Sequence, residues 1–478
     1  MFLDKFDTFL PKKLSETEFA RFKTQFYKRL AWKAHHFYGG KLQILPKVPI
    51  PDFESLNVWY TPGVSAISTA IRDTPEISYQ LTFRKNLVAV VSDGTRVLGD
   101  GDCTPAGAMG VMEGKALLMK FLGGIDAIPL CINSRDDAGA PSAEKIIQFV
   151  KMIQPSFGAI NLEDISQPNC FKVLDILQKE CEIPVWHDDA QGTACVVLAG
   201  LLNALKIVNK PIETCKFVLF GAGAGNTGVA NLLILFGANP HKIILMDSKG
   251  SLHIQRKDYQ QNPAFYRQWY LCQRTNAQQF ISHEEIFTDA DVLIALSKPG
   301  PDIIKKEWIQ MMAPSAIVFA CANPNPEIFP SEAIEAGAAI VATGRGDFPN
   351  QINNSICFPG MLKGTLACGA KQISDSMMCR AAQSIANFVP ESKLSAHKII
   401  PDMFTQGLYS KIATDVAMQA IEDGNSRFEK DIAAIENEIA HDIRQAQFIL
   451  KLLEDNSFIQ QIPEKMILET INECLKNF

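Results

Sequence analysis

The sequence predicts an α/β protein in which a parallel sheet is followed by a second, doubly wound sheet and a helical tail. Three observations carry this reading. Apolar runs of strand length recur from residue 87 onward with helix-length segments between them, the rhythm of parallel strands joined by right-handed crossovers. The run 216–220 passes directly into a glycine-rich turn and an apolar helix, and the next apolar run ends in an acid, Asp247. Beyond residue 426, isoleucines at helical spacing lie among many acids.

Composition bounds what such a chain can do. Its 478 residues suffice for two or three domains, each with its own core. With 47% hydrophobic and 21% charged residues and no low-complexity run, it reads as an ordinary ordered globular chain. A formal net charge of -6 gives no basic footprint for nucleic acid or an anionic membrane. The 12 cysteines form no CxxC pair, as in a reducing compartment where cysteine packs as a small hydrophobe. The start MFLDKFDTFLPKKLSE has no basic stretch followed by an apolar core, and no apolar run looks as long as a membrane span, so a soluble cytoplasmic protein is expected.

Taken in order, residues 16–37 carry Phe19, Phe22, Phe26 and Leu30 at helical spacing, an amphipathic helix whose stripe serves core or subunit contact. A loop with Pro46, Pro49 and Pro51 follows, then a turn forced by Pro62-Gly63 just after Tyr60. Such a tyrosine is read either as a core ring with a satisfied hydroxyl or as a functional group. Strands are expected at 87–91, 127–132, 157–162 and 183–186, with Lys115 on the helix after the first.

Parallel strands put their carboxyl ends on one sheet edge, where open α/β sheets hold ligands. Glu163 and Asp164 follow the third strand, and Asp188 and Asp189 follow the fourth. Neighbouring carboxylates repel unless one is protonated or a cation lies between them, so Glu163, Asp164 and Asp189 imply a divalent ion. Oxygen ligands suit Mg²⁺ or Mn²⁺, and the absence of cysteine ligands or a second histidine disfavours zinc. Two bland readings stand beside this one. Asp188-Asp189 can cap a following helix, and His187 can be a hydrogen-bonded neighbour rather than a ligand.

The second unit begins after a helix at 194–208. Strand, GxG turn, helix, strand and acid form a dinucleotide fingerprint of the Rossmann type, using Gly221, Gly223, Asn226, Gly228 and Asp247. Gly221 directly follows the strand and takes the tight turn, Asn226 starts the helix, and Gly228 serves close helix packing. Strands at 291–297, 316–322 and 338–343 complete the sheet. The loop 347–364 carries Asn353 and Asn354, which either hold the loop or bind a carboxylate or carboxamide. Domains are expected at 1–187 (substrate and metal), 188–424 (dinucleotide) and 425–478 (helical tail).

With these residues in place the sequence resembles the malic enzymes over residues 35–424. The motifs are YTPGV (60–64), VVSDGTRVLG (90–99), VMEGKALL (111–118), INLEDI (160–165), WHDDAQGTA (186–194), GAGAGNTG (221–228), DSKG (247–250), ANPNPE (322–327) and PNQINNSICFPG (349–360). Length and the GRGDFPNQINN stretch are closer to the smaller bacterial members. The resemblance implies metal-dependent oxidative decarboxylation of L-malate to pyruvate with NAD or NADP as hydride acceptor. It implies Lys115 as general base with Asp188 as its ion-pair partner, and Tyr60 as proton donor to the enolate. Glu163, Asp164 and Asp189 would bind Mg²⁺ or Mn²⁺, and Arg96, Asn323 and Asn354 would contact substrate, with Asn323 also near the nicotinamide. Asp100 adds an acid beside Arg96 and is a candidate partner for it. Asp247 would ordinarily favour NAD by accepting the ribose hydroxyls, yet the resemblance includes NADP users with the same DSKG run, and Ser248, Lys249 or Arg256 are candidates for a 2′-phosphate. Homodimers or homotetramers, a small-molecule substrate and no nucleic-acid or membrane partner are expected. The competing readings are a related NAD(P)-linked dehydrogenase of another small hydroxy or amino acid, and a catalytically weakened metabolite-binding homologue.

Overall fold

In the computed structural model, which describes residues 14–428 and 431–476, the chain forms two compact units. Residues 1–13 of the N-terminal reading lie outside the described residues, as do 429, 430, 477 and 478.

One unit comprises residues up to 43 together with 445 onward. Its helix Glu16–Tyr38 starts with a capping box, in which Ser15 and Glu18 satisfy each other's backbone donors, and ends at Gly39 in the left-handed conformation. The expected stripe is core: Phe22, Phe26 and Leu30 pack with Ile467, Ile471 and Cys474 of helix Glu464–Leu475. Lys33 pairs with Glu473 at 2.8 Å across this helix pair.

The other unit, residues 44–444, holds both sheets. The first contains β1 (Leu87–Ser92), β2 (Asp126–Cys131), β3 (Ala159–Leu162) and β4 (Val185–His187), ordered β2-β1-β3-β4 and wholly parallel. Register decides what meets at its edge. Val91 lies beside Leu162 and Leu162 beside His187, so the residues that follow, Ser92, Glu163 and Asp188, leave the sheet side by side.

The second sheet contains β5 (Phe217–Phe220), β6 (Ile243–Asp247), β7 (Gly250–Ser251), β8 (Val292–Ala295), β9 (Ile317–Ala320) and β10 (Ile340–Thr343), ordered β10-β9-β8-β5-β6-β7. All pairs are parallel except β6 with β7, a two-residue return that the sequence did not announce. The order reverses between β5 and β8, the crevice where doubly wound folds bind nucleotides.

Helix Thr193–Val208 runs through the main core, with Val197, Ala199 and Leu201 fully buried. Together with the turn before it, Asp188–Val208 is apolar enough to cross a membrane by composition, contrary to the expectation that no run would qualify. Burial of 72% of its apolar window marks it as a core helix. From the tail stripe, Ile435, Ile439 and Ile443 are buried in the same core, and Lys363, 2% exposed, pairs with Asp442 at 2.6 Å.

Where the sequence showed only a proline loop and a turn, the chain forms helices Ser55–Trp59 and Val64–Asp73, and neither buries a residue.

Candidate functional site

The turn after β4 is a single wide helical turn of π type, Asp188–Gly192, running into helix Thr193–Val208. Such turns arise where an extra residue is accommodated, and they re-aim side chains. Neither aspartate caps the helix, so the capping role expected for them is not adopted. Asp188 is instead fully buried and doubly held: Trp186 Nε1 donates to its Oδ1 at 3.2 Å, and Lys115 Nζ lies 2.5 Å from its Oδ2. Gly192 is required here, because a Cβ would meet Asp188 Oδ1 at 2.0 Å.

Lys115 comes from helix Thr104–Gly123, the crossover from β1 to β2. Its side chain is 11% exposed, and besides Asp188 it reaches Glu163 Oε1 at 3.0 Å and Asn354 Oδ1 at 3.4 Å. The ammonium also lies 4.7 Å from the centre of the Phe358 ring. Glu163 accepts from Asn161 Nδ2 at 2.9 Å, so the buried asparagine inside β3 orients the acid two residues on.

Asp164 adopts a left-handed backbone with φ 54°, uncommon for a residue with a side chain and typical of a constrained site. Its carbonyl accepts from the Arg96 N–H at 3.0 Å, and its own N–H donates to Asp189 Oδ2 at 2.9 Å. The structure therefore brings Glu163, Asp164 and Asp189 together, with one oxygen from each within 4.8 Å of the others.

These residues fit a hard divalent cation. The donor set is three carboxylates, and Asp164 Oδ2 is buried with no hydrogen-bond partner. The electrostatics agree. Burial, aided by Asp189, pushes the Asp164 carboxyl up to about 8. Burial also holds Glu163 well above the ordinary carboxylate range, although Lys115 pulls the other way. Burial alone would lower Lys115, but Asp188, Glu163 and Asp189 outweigh it and raise the lysine. Lys115 is thus charged in the cation-free site, where one ammonium cannot compensate all the acids around it.

His187 departs from the hydrogen-bonded role expected of it. It is fully buried, both ring nitrogens lack hydrogen bonds, and Nδ1 stands 3.7 Å from Asp189 Oδ2. Burial lowers its pKa, so that approach is not an ion pair.

The nucleotide turn is equally specific. Gly221 has φ 108°, and a Cβ there would lie 2.5 Å from the Leu296 carbonyl oxygen. Gly223 caps helix Ala224–Leu235, and a Cβ there would meet nothing within 4 Å, leaving the open cradle a pyrophosphate needs at a helix start. Gly228 packs against the π turn, where a Cβ would meet Ala190 O at 2.3 Å. Asn226 is buried, and its Nδ2 donates to the carbonyls of Phe220 (3.1 Å), Gly221 (2.9 Å) and Ile294 (3.3 Å). These bonds brace the glycine turn, while its Oδ1 is buried without a hydrogen-bond partner. These residues fit a dinucleotide.

The two sheet edges meet at Gly99, where a Cβ would lie 2.6 Å from Pro299 Cγ and 2.7 Å from the Asn323 carbonyl. Asn323 is half-buried on the loop after β9. Arg96 is exposed and makes no ion pair among the described residues; Asp100 does not hold it, and the neighbouring Asp102 pairs with Arg135 at 2.6 Å. Tyr60 is 72% exposed, and no side-chain hydrogen bond among the described residues ties it to the acids.

Sequence reasoning missed Trp186, Asn161 and Glu327. Glu327 is fully buried and joins two loops, accepting from the Ser297 N–H at 2.8 Å with Oε1 and the Ala322 N–H at 3.0 Å with Oε2. A charged residue inside the ANPNPE turn, just before an apolar run, was its only signal.

Comparison with known proteins agrees with this geometry. A family profile described as the malic enzyme N-terminal domain matches residues 39–178, and one described as the malic enzyme NAD-binding domain matches 190–421. An NAD-dependent malic enzyme of Geobacillus stearothermophilus is 46% identical over 81% of this chain and 78% of its own. An NADP-dependent malic enzyme of Halomonas elongata is 37% identical over 81% of this chain and 92% of its own. The crystal structure of Entamoeba histolytica malic enzyme superposes with a TM-score of 0.97 at 52% identity, covering 100% of this chain and 98% of that one.

Proposed function

This chain belongs to the malic enzyme family, and on that premise we propose that it converts L-malate to pyruvate and carbon dioxide, using Lys115 as base beside a cation held by Glu163, Asp164 and Asp189. The carrying observation is Lys115 itself, held between Asp188 at 2.5 Å and Glu163 at 3.0 Å, next to an acid cluster that needs positive charge.

Glu163, Asp164 and Asp189 would hold a divalent ion, which would supply Lewis-acid stabilisation of the negative charge that builds up on the substrate. Lys115 would take the C2 hydroxyl proton, and a nicotinamide held at the Gly221–Gly223 turn would accept the C2 hydride. Breaking the C3–C4 bond then leaves its electron pair in an enolate, which is protonated at C3. Asp188 fixes the lysine's position and is braced in turn by the Trp186 indole. A cation at the three acids would weaken the field of Glu163 and Asp189 that helps to raise Lys115, and so ease loss of the proton a base must shed.

Arg96 suits a substrate carboxylate because its guanidinium is exposed and uncommitted to any ion pair among the described residues. Asn354, within reach of Lys115, suits a substrate oxygen, and Asn323 suits substrate or nicotinamide. The proton-donor role of Tyr60 is supported by the YTPG motif alone.

The test is a steady-state assay with L-malate, Mn²⁺ and either NAD⁺ or NADP⁺. Reduced nucleotide, pyruvate and carbon dioxide are expected in equal amounts. Accumulation of oxaloacetate, or no malate-dependent reduction with either nucleotide, contradicts the proposal.

A further inference from the structure

Beyond β9 stands a buried acid that neither the cation cluster nor the glycine turn uses. Glu327 is fully buried, yet it makes no ion pair among the described residues. Burial pushes its carboxyl above the ordinary range, and hydrogen bonds from Ser297 and Ala322 pull it back. A carboxylate withdrawn from water in this way is held by its donors alone, so the groups that donate to it show what it organises.

Those donors belong to two loops. From the loop after β8, the Ser297 N–H reaches Oε1 at 2.8 Å, and the Ser297 hydroxyl reaches the same oxygen at 3.1 Å. From the loop after β9, the Ala322 N–H reaches Oε2 at 3.0 Å. The Glu327 backbone carbonyl accepts from the N–H groups of Ile303 and Ile304, both at 3.1 Å, so residues 297–304 are gripped at both ends by one residue. Between those ends the Gly300 N–H donates to the Asn325 carbonyl at 3.2 Å.

The two loops carry the groups that close on the substrate side. Pro299 Cγ and the Asn323 carbonyl are what a Cβ on Gly99 would meet, at 2.6 and 2.7 Å, and Gly99 ends the VVSDGTRVLG run that carries Arg96. Doubly wound sheets bind a dinucleotide across the switch point, one half over each group of strands, so the half beyond the pyrophosphate lies over β8 and β9. Leu296 is tied separately, its N–H donating to the Phe220 carbonyl at 3.0 Å, so the wall behind Gly221 does not depend on Glu327.

Resting on the reading of the two sheet edges as one malate and nucleotide site, we infer that Glu327 is a positioning residue for hydride transfer: by fastening the loops after β8 and β9 together, it sets the nicotinamide half of the nucleotide against the loop that carries Arg96. Being fully buried, it acts through Ser297, Ala322 and the residues beside them.

Glu327→Gln tests the carboxylate, because an amide keeps the shape but turns one acceptor into a donor facing a donor. In the full-length protein, NADH binding followed by nicotinamide fluorescence should weaken about tenfold or more, as expected when a charge-assisted bond is lost. ADP, which fills only the adenosine half, should bind within about twofold of the unaltered protein by calorimetry. Malate oxidation should fall about tenfold or more, while Mn²⁺-dependent decarboxylation of added oxaloacetate, which moves no hydride, stays within about threefold. If Glu327→Gln fails to fold, Ser297→Ala removes the hydroxyl bond and leaves the N–H bond; it should weaken NADH about threefold and spare ADP. Unchanged NADH binding, or equal losses for NADH and ADP, in whichever variant folds overturns the inference, as does an equal fall in both reactions. The expected NADH and ADP pattern without malate turnover by the unaltered protein overturns only the decarboxylase reading. Binding of neither nucleotide by the unaltered protein overturns both.

Discussion

Lys115 faces more opposing carboxylates than any other cation at the site, and its raised pKa makes it unfit as a base until their field is reduced. Asp188→Asn tests the pairing. Removing the carboxylate that fixes the position of the lysine should lower catalytic turnover by about 10²–10⁴-fold, the usual worth of a positioned proton-transfer group, with substrate KM less affected. A parallel loss in KM would mark Asp188 as a substrate contact. Tyr60→Phe should chiefly impair protonation of the enolate, read as slowed exchange of the pyruvate methyl hydrogens with solvent; equal loss of every partial reaction contradicts the proton-donor role. The acids were legible because they stand just past strand ends, whereas Lys115, inside helix Thr104–Gly123, was legible only through its motif. Trp186 and Asn161 were not, since both look like ordinary strand residues until register shows which way they point. Tyr60 was legible only through its motif, and the exposed ring adds no local support.

Among the elements, the π turn Asp188–Gly192 and the glycine turn at 221–223 do the positioning. They touch each other, because Gly228 lets the nucleotide helix close on Ala190. Gly228→Ala should therefore disturb both cation and nucleotide binding, detected as weaker Mn²⁺ and NADPH titrations in one variant. Gly221→Ala combines a positive φ with a backbone clash and should cost more than about 1 kcal/mol in unfolding free energy, besides losing nucleotide affinity. A normal denaturation midpoint in that variant would contradict the turn assignment. The strands were readable as apolar runs between glycine, proline and acid. The turn of π type was not, because an extra residue in a helix start leaves no compositional mark. Helices Ser55–Trp59 and Val64–Asp73 were missed for a related reason: they bury nothing in the single chain, so their pattern carries no core face.

At the scale of the whole molecule, Ile44, Ile50, Phe53, Val58 and Phe83 stand 57–84% exposed on one stretch of chain. So many large apolar groups on one segment fit association with a second copy, as expected for a homo-oligomer, and light scattering should return a dimer or larger. A monomer across the working concentration range contradicts that. Stability should also report the cation. Asp164 is raised to about 8 in the folded protein from 3.8, so the folded state binds the extra proton, and cation-free stability from this group falls as pH rises across that window. Mn²⁺ must displace that proton at lower pH, so its stabilising effect on thermal unfolding should grow from about pH 6 to pH 8. A pH-independent Mn²⁺ effect would mean that Asp164 is not a ligand. In the proposed reaction Lys115 is the base for oxidation, beside carboxylates that would hold the ion. The most direct measurement compares Lys115→Ala with the unaltered protein in two reactions, malate oxidation and Mn²⁺-dependent decarboxylation of added oxaloacetate. Oxidation should fall by about 10²–10⁴-fold while decarboxylation of oxaloacetate, which needs no proton removed from C2, falls far less. Malate oxidation retained within about tenfold, or an equal loss of both reactions, would contradict it.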